Sequence, residues 1–299
     1  MPRRGRSPEW LLRYRDAVKL SPRYNAPPIL SIDDPTDDRG AAVCRQRRRL
    51  ATLLGELGED EWRAASRCDG WSVQDVVAHL IGVNAFWEMS VKAGLAGAPT
   101  AVLASFDPAA HPPMMIEPMR ALSFAEVLDQ FVASNEGFLG ALEALDVQGW
   151  STTAESPAGH VSIRLVAHHA LWDSWVHERD IALPLGLTPT EEPDEIGISL
   201  RYAAAVGPAL TIGDANAFSG ALAVAATNPD DCFTLEVADC VTVRNESPTA
   251  GTPCLRGTSV ELIEGLSIRA PLPADTPSEW HRLVHGLATV FDTELETTN

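Results

Sequence analysis

Apolar residues recur at helical spacing through the first two thirds of the chain, then give way to short β-favouring runs. Val43, Leu50, Leu53, Leu54 and Leu57 fall near a 3.6-residue period, with Arg45, Arg47, Arg48 and Arg49 mostly on the other side. A second helix opens at Ser72, with Asp75 three residues on in capping-box relation, and continues through Val76, Val77, Leu80, Val83 and Phe86. Ser123 and Glu126 open a third in the same way, leading through Leu128, Phe131, Val132, Phe138, Leu139 and Leu142. A fourth starts near Ser162, carries Leu165, Val166, Leu171, Trp175 and Val176, and ends before Pro184. One long loop over about 96–121, containing Pro112, Pro113 and Pro118, joins two of them. The pattern predicts a four-helix bundle over residues 39–187.

Beyond Pro184-Leu185-Gly186 the spacing predicts a helix over 194–210 and strands over 221–227, 232–237, 240–244 and about 252–256. Asn228-Pro229-Asp230 and Ala238-Asp239 are placed as hairpin turns would be. Two helices follow, over about 258–267 and 277–294, so residues 188–299 are expected to form a small α+β domain. Residues 1–38 include the Pro-rich and acidic stretch from Asn25 to Asp38, and are expected to be a disordered extension.

Composition narrows the function. The 299 residues, 45% hydrophobic and 21% charged, can bury a core without disulfides or a structural metal. Lys and Arg number 23 against 41 Asp and Glu, a net charge of −18, so no nucleic-acid partner reached through a broad basic surface is expected. No apolar run is long enough to span a membrane, and no apolar segment follows the basic start as in a secretory signal. Five scattered cysteines without a CxxC pair suit reduced thiols in the cytoplasm, and none sits in a nucleophile motif. P-loop, G-x-G-x-x-G and G-x-S-x-G motifs are absent.

The histidines carry the most chemistry. At about 100° per residue, His169, Asp173, His177 and Asp180 of the fourth helix fall at about 0°, 40°, 80° and 20°. This polar stripe could be a solvated face with an ordinary i, i+4 pair. Its flanks, however, are Leu171, Trp172, Trp175 and Val176, which argue for burial. Buried ionisable groups are paired or bound to a metal, and facing bundle helices are where metal sites are built. Two imidazoles and a carboxylate form a common catalytic zinc set with an open position. The second helix offers Asp75 and His79 at i, i+4. Spacing alone leaves both readings open. His281 and His285 also have ligand spacing, but lack a third ligand nearby and read as surface or packing residues.

Two motifs add a resemblance. The stretch from Cys68 through Gly70-Trp71-Ser72-Val73 to His79-Leu80, followed by Phe86-Trp87, resembles the opening motif of the mycothiol-dependent maleylpyruvate isomerase family. The stretch from Asp173 through His177 to Asp180, then Leu185-Gly186, resembles its second motif. The resemblance covers about residues 40–299 and implies a DinB-like metal-binding bundle followed by an α+β domain similar to sterol-carrier proteins. It implies that His79, Asp173 and His177 bind zinc, with Asp173 standing where the family usually has Glu. The shorter side chain would need a closer helix, or would act through water. His169 could substitute as a ligand or support one, and Asp75 and Asp180 could orient ligand imidazoles. Leu262–Arg269 resembles the family's Leu-rich helix ending in Gly-Arg, with Ile268 at the Gly position. Arg269 is thereby a candidate catalytic residue that would hold a substrate carboxylate; an exposed helix-end arginine is the alternative.

The function so implied is a zinc-dependent thiol S-transferase or isomerase. Mycothiol would be the cosubstrate, and a small electrophilic, anionic molecule the substrate. A non-catalytic metal- or ligand-binding bundle with a degenerate site is the alternative.

Overall fold

The computed structural model describes residues 22–33, 36, 38–212, 218–246 and 248–291. Four long helices form the bundle: α1 (Ala41–Glu56), α3 (Val73–Leu95), α5 (Phe124–Glu143) and α6 (Ile163–Ala182), with a short α2 (Glu59–Arg63) between the first two. Each start anticipated at a serine is capped as expected. The Ser72 hydroxyl accepts the Asp75 N–H at 3.2 Å while the Asp75 carboxylate accepts the Ser72 N–H at 3.1 Å. Ser123 and Glu126 form the same reciprocal pair, and Ser162 Oγ accepts the Leu165 N–H. These bonds satisfy donors that a helix start leaves open.

The connection from α3 to α5 is more structured than its prolines suggest. It holds α4 (His111–Ile116) and two short 3-10 turns, Val102–Ser105 and Glu117–Ala121. Before α6 the chain makes a hairpin of β2 (Thr153–Ser156) and β3 (Gly159–Ser162), which the sequence reading did not anticipate. Gly159, at φ +106°, is required there, because a Cβ would lie 2.1 Å from the Arg23 carbonyl oxygen.

After the bundle, α7 (Pro193–Thr211) is buried along most of its length and packs against both α6 and the sheet. The sheet contains β1 (Leu30–Ile32), β4 (Gly220–Thr227), β5 (Asp231–Val237), β6 (Val241–Arg244) and β7 (Cys254–Thr258), in the order β1-β6-β5-β4-β7. The central β4, β5 and β6 pair antiparallel, and both edge strands pair parallel. Then come α8 (Ser259–Leu266), α9 (Ser278–Val284) and α10 (Gly286–Val290). The single helix expected over 277–294 is thus broken at His285, and its last three residues lie outside the described ones. One hydrophobic cluster runs continuously from Trp87, Phe138 and Trp175 of the bundle to Phe233, Leu255 and Trp280 of the second half.

One expectation is corrected. The extension assigned to residues 1–38 is partly built into the fold, because Leu30–Ile32 is the edge strand beside Val241–Val243. Ile29 and Leu30 are buried, and the Tyr24 hydroxyl donates to Glu155 at 2.6 Å. The physical reason is the apolar trio Ile29, Leu30 and Ile32 around Ser31, whose flanking prolines and aspartates mask it in a periodicity reading. Residues 1–21 of that extension lie outside the described residues.

Close packing near the second half rests on two glycines. A Cβ on Gly286 would meet the Gly207 carbonyl oxygen at 2.2 Å. Gly286→Ala is therefore expected to cost about 1–3 kcal/mol as α10 is pushed from α7, read by urea unfolding; stability equal to the parent would show that this approach relaxes freely.

Candidate functional site

Helices α3 and α6 bring three of the sequence-selected residues together. His79 sits mid-α3, and Asp173 and His177 lie one turn apart on α6. One ligand atom from each lies within 4.8 Å of the others. The His177 Nε2 to Asp173 Oδ1 distance is 3.6 Å, and the His79 and His177 rings meet edge to face at 5.1 Å. The aspartate, one methylene shorter than the family's glutamate, reaches the cluster directly. Two polar atoms in this buried place have no hydrogen-bond partner, His79 Nδ1 and Asp173 Oδ2. Orphaned buried acceptors and donors carry a desolvation cost unless something completes them. The donor set of two imidazoles and one carboxylate suits a divalent transition metal, zinc included.

The electrostatics favour neutral His79. Burial, then the neighbouring His177, push its pKa down to about 4, leaving the uncharged imidazole that a metal requires. For His177, burial opposes the cation, but hydrogen bonds to Asp180 and Cys68 and the Asp173 charge raise its pKa to about 10 in the metal-free chain. The Asp180 carboxylate accepts from His177 Nδ1 at 3.0 Å, which directs Nε2 toward Asp173 and His79. An acceptor behind a ligand imidazole fixes its tautomer and ring orientation.

Asp180 is in turn gripped from the second half of the chain. Arg269 Nε donates to its two oxygens at 2.9 and 3.1 Å, and Arg269 Nη2 donates at 2.9 Å. Arg67 Nε adds a bond at 3.1 Å. Burial disfavours the Asp180 charge, yet the His177 and Arg269 bonds outweigh it and hold the carboxyl far below the usual range. Glu264 of α8 reciprocates by pairing with Arg67 at 2.8 Å and Arg179 at 2.8 Å. Bundle and α+β half thus exchange charges across one contact beside the His-Asp-His cluster.

Arg269 therefore lies at the site, but its guanidinium is engaged with Asp180. Asp180, considered for an orienting role, contacts the His177 imidazole at 3.0 Å. Asp75 does not reach a ligand imidazole: it caps α3 and pairs with Arg120 at 2.9 Å. His169 is also outside the cluster, its Nδ1 bonded to the Tyr202 hydroxyl at 2.6 Å. His281 and His285 touch ring to ring and belong to no metal-sized cluster among the described residues. Three participants escaped the sequence reading: Arg67, Glu264 and Cys68. The Cys68 thiol lies 3.3 Å from Asp180 Oδ2, 3.8 Å from His177 Nδ1 and 3.7 Å from Arg269 Nη2. Its place at the head of the first motif was the available signal.

Fold and cluster together define a four-helix bundle carrying a His-Asp-His cluster, followed by an α+β domain. Residues 43–182 match the model of the mycothiol maleylpyruvate isomerase N-terminal domain. Two solved structures are similar to it, that of the mycothiol-dependent maleylpyruvate isomerase and that of a histidine-to-alanine mutant of the same. Each is 16% identical at a TM-score of 0.56, covering 80% of this chain and 91% of the solved one. At that identity the likeness is one of fold, and it extends beyond the bundle. No curated protein matches the chain significantly. Among the described residues, no helix is long and apolar enough to cross a membrane.

Proposed function

We propose that this chain is a zinc-dependent isomerase or S-transferase that uses mycothiol and acts on a small electrophilic anion, as maleylpyruvate isomerase does. The observation that carries the reading is the convergence of His79, Asp173 and His177, with His79 Nδ1 and Asp173 Oδ2 buried and unpartnered. Bound zinc supplies a Lewis acid that lowers the pKa of a coordinated thiol and so provides a thiolate at neutral pH. The chain's residues prepare that chemistry. Asp180 holds the Nδ1 proton of His177, so the Nε2 lone pair stays available. Trp71 packs 5.5 Å from the His79 ring and limits its rotation. Arg269 and Arg67 hold Asp180 in place behind His177.

Elemental mass spectrometry of the purified protein beside His177→Ala tests the reading. Near-stoichiometric zinc is expected in the parent and little in the variant. A parent that stays metal-free after purification with added zinc and no chelator would overturn it.

A further inference from the structure

Arg47 of α1 is 0% exposed, and no role described above uses it. Among the described residues its guanidinium bonds to neutral acceptors, the Asn84 side-chain oxygen and, at 3.1 Å, the Ala170 carbonyl, while its Nε has no partner. A buried guanidinium normally requires a carboxylate. A helical carbonyl points toward the residue four positions on, so the guanidinium bound to Ala170 lies level with Asp173 and Ser174 of α6. Burial pushes the Arg47 pKa down to about 10 while the Asp173 charge supports the cation, and Arg47 in turn favours the Asp173 carboxylate and disfavours protonation of His79 and His169.

A charge count gives this placement its meaning. On the outer side, Arg67, Arg179 and Arg269 face Asp180, Glu191 and Glu264, and those charges cancel. On the inner side Arg47 already balances Asp173. A divalent cation held by Asp173 and two neutral imidazoles would then leave a double positive charge buried among α1, α3 and α6. Anions must supply the balance: a thiolate provides one negative charge, and an anionic substrate a second.

We propose that Arg47 is a charge-setting residue of this site, a fixed buried cation that weakens the hold on the metal and strengthens the hold on an anion at the metal's open position. The inference rests on the metal reading above and deepens it, because it ties the demand for anionic ligands to one side chain of this chain. Arg47 is a positioning residue, acting through charge and not by contact with the reacting atoms.

Two affinities test it, zinc by competition with a chromogenic chelator and azide by visible absorption of the cobalt-substituted protein. In Arg47→Met, zinc should bind about tenfold tighter or more and azide about tenfold weaker, since a like charge is lost for one and an opposite charge for the other. Arg47→Lys, which keeps the charge, should leave both near parental values. Structural damage would weaken both, and that outcome, or no change in either, overturns the proposal. If Arg47→Met does not fold, Asn84→Asp decides, because it pairs the guanidinium where it already bonds and should produce the same opposed shifts. A parent that binds no zinc overturns the metal reading and this one with it. Bound zinc with unmoved affinities overturns the role of Arg47 alone.

Discussion

Replacing His79 with alanine is expected to empty the site of zinc and lower thiol-dependent turnover by about a thousandfold or more. Asp173 and His177 would remain as a pair on one helix, with nothing from α3 to close the third side. Lewis-acid stabilisation of developing charge is worth several kcal/mol, and each 1.36 kcal/mol is a factor of ten in rate. The fold should survive, because His79 Nδ1 makes no hydrogen bond whose loss would strand a partner. The assay is consumption of a thiol-reactive electrophile by purified protein with mycothiol and zinc, checked by circular dichroism for an intact bundle. Turnover that persists in a folded His79→Ala would remove His79 from the mechanism. Asp173→Glu makes a useful companion. It restores the family's longer carboxylate, and it should retain metal if α6 can yield by the length of one methylene.

Much of this site was readable because it is built on helices. The stripe His169, Asp173, His177 and Asp180 follows from helical geometry alone, and the serine caps fixed where α3, α5 and α6 begin. What periodicity could not assign was the partner of each member. His169 and His177 are equivalent on the stripe, yet one faces Tyr202 of α7 and the other faces His79. Those choices are made by packing between segments far apart in the chain. Arg67 and Asp180 are separated by 113 positions and Arg67 and Glu264 by 197, so no local pattern links them.

Arg269 shows how a motif can locate a residue and leave its role open. Ile268, standing where the family has glycine, takes φ +55°. That conformation is natural for glycine and costs a β-branched residue about 1–3 kcal/mol. The chain accepts this strain in the turn that delivers Arg269 to Asp180. The guanidinium's partner is decided by the bundle opposite, where Asp180 has 0% side-chain exposure.

Asp180→Ala is accordingly expected to be among the most destabilising single changes in the protein, at about 3–5 kcal/mol. Removing one partner of a buried ion pair leaves the other charges uncompensated. Here the change strands Arg269, leaves Arg67 with Glu264 alone, and takes the acceptor from His177 Nδ1. For a protein of this size the melting temperature should fall by on the order of 10 °C. Charge and packing can be separated by a double variant. If unpaired cations dominate the loss, adding Arg269→Met should recover part of it, and the two changes together should cost less than their sum. Strict additivity in urea unfolding would locate the cost in lost packing instead. The same pair bears on the metal. Asp180 orients His177 through its ring nitrogen, so Asp180→Ala should weaken zinc binding by about 10–100-fold. Arg269→Met on its own leaves that bond in place and should weaken zinc far less.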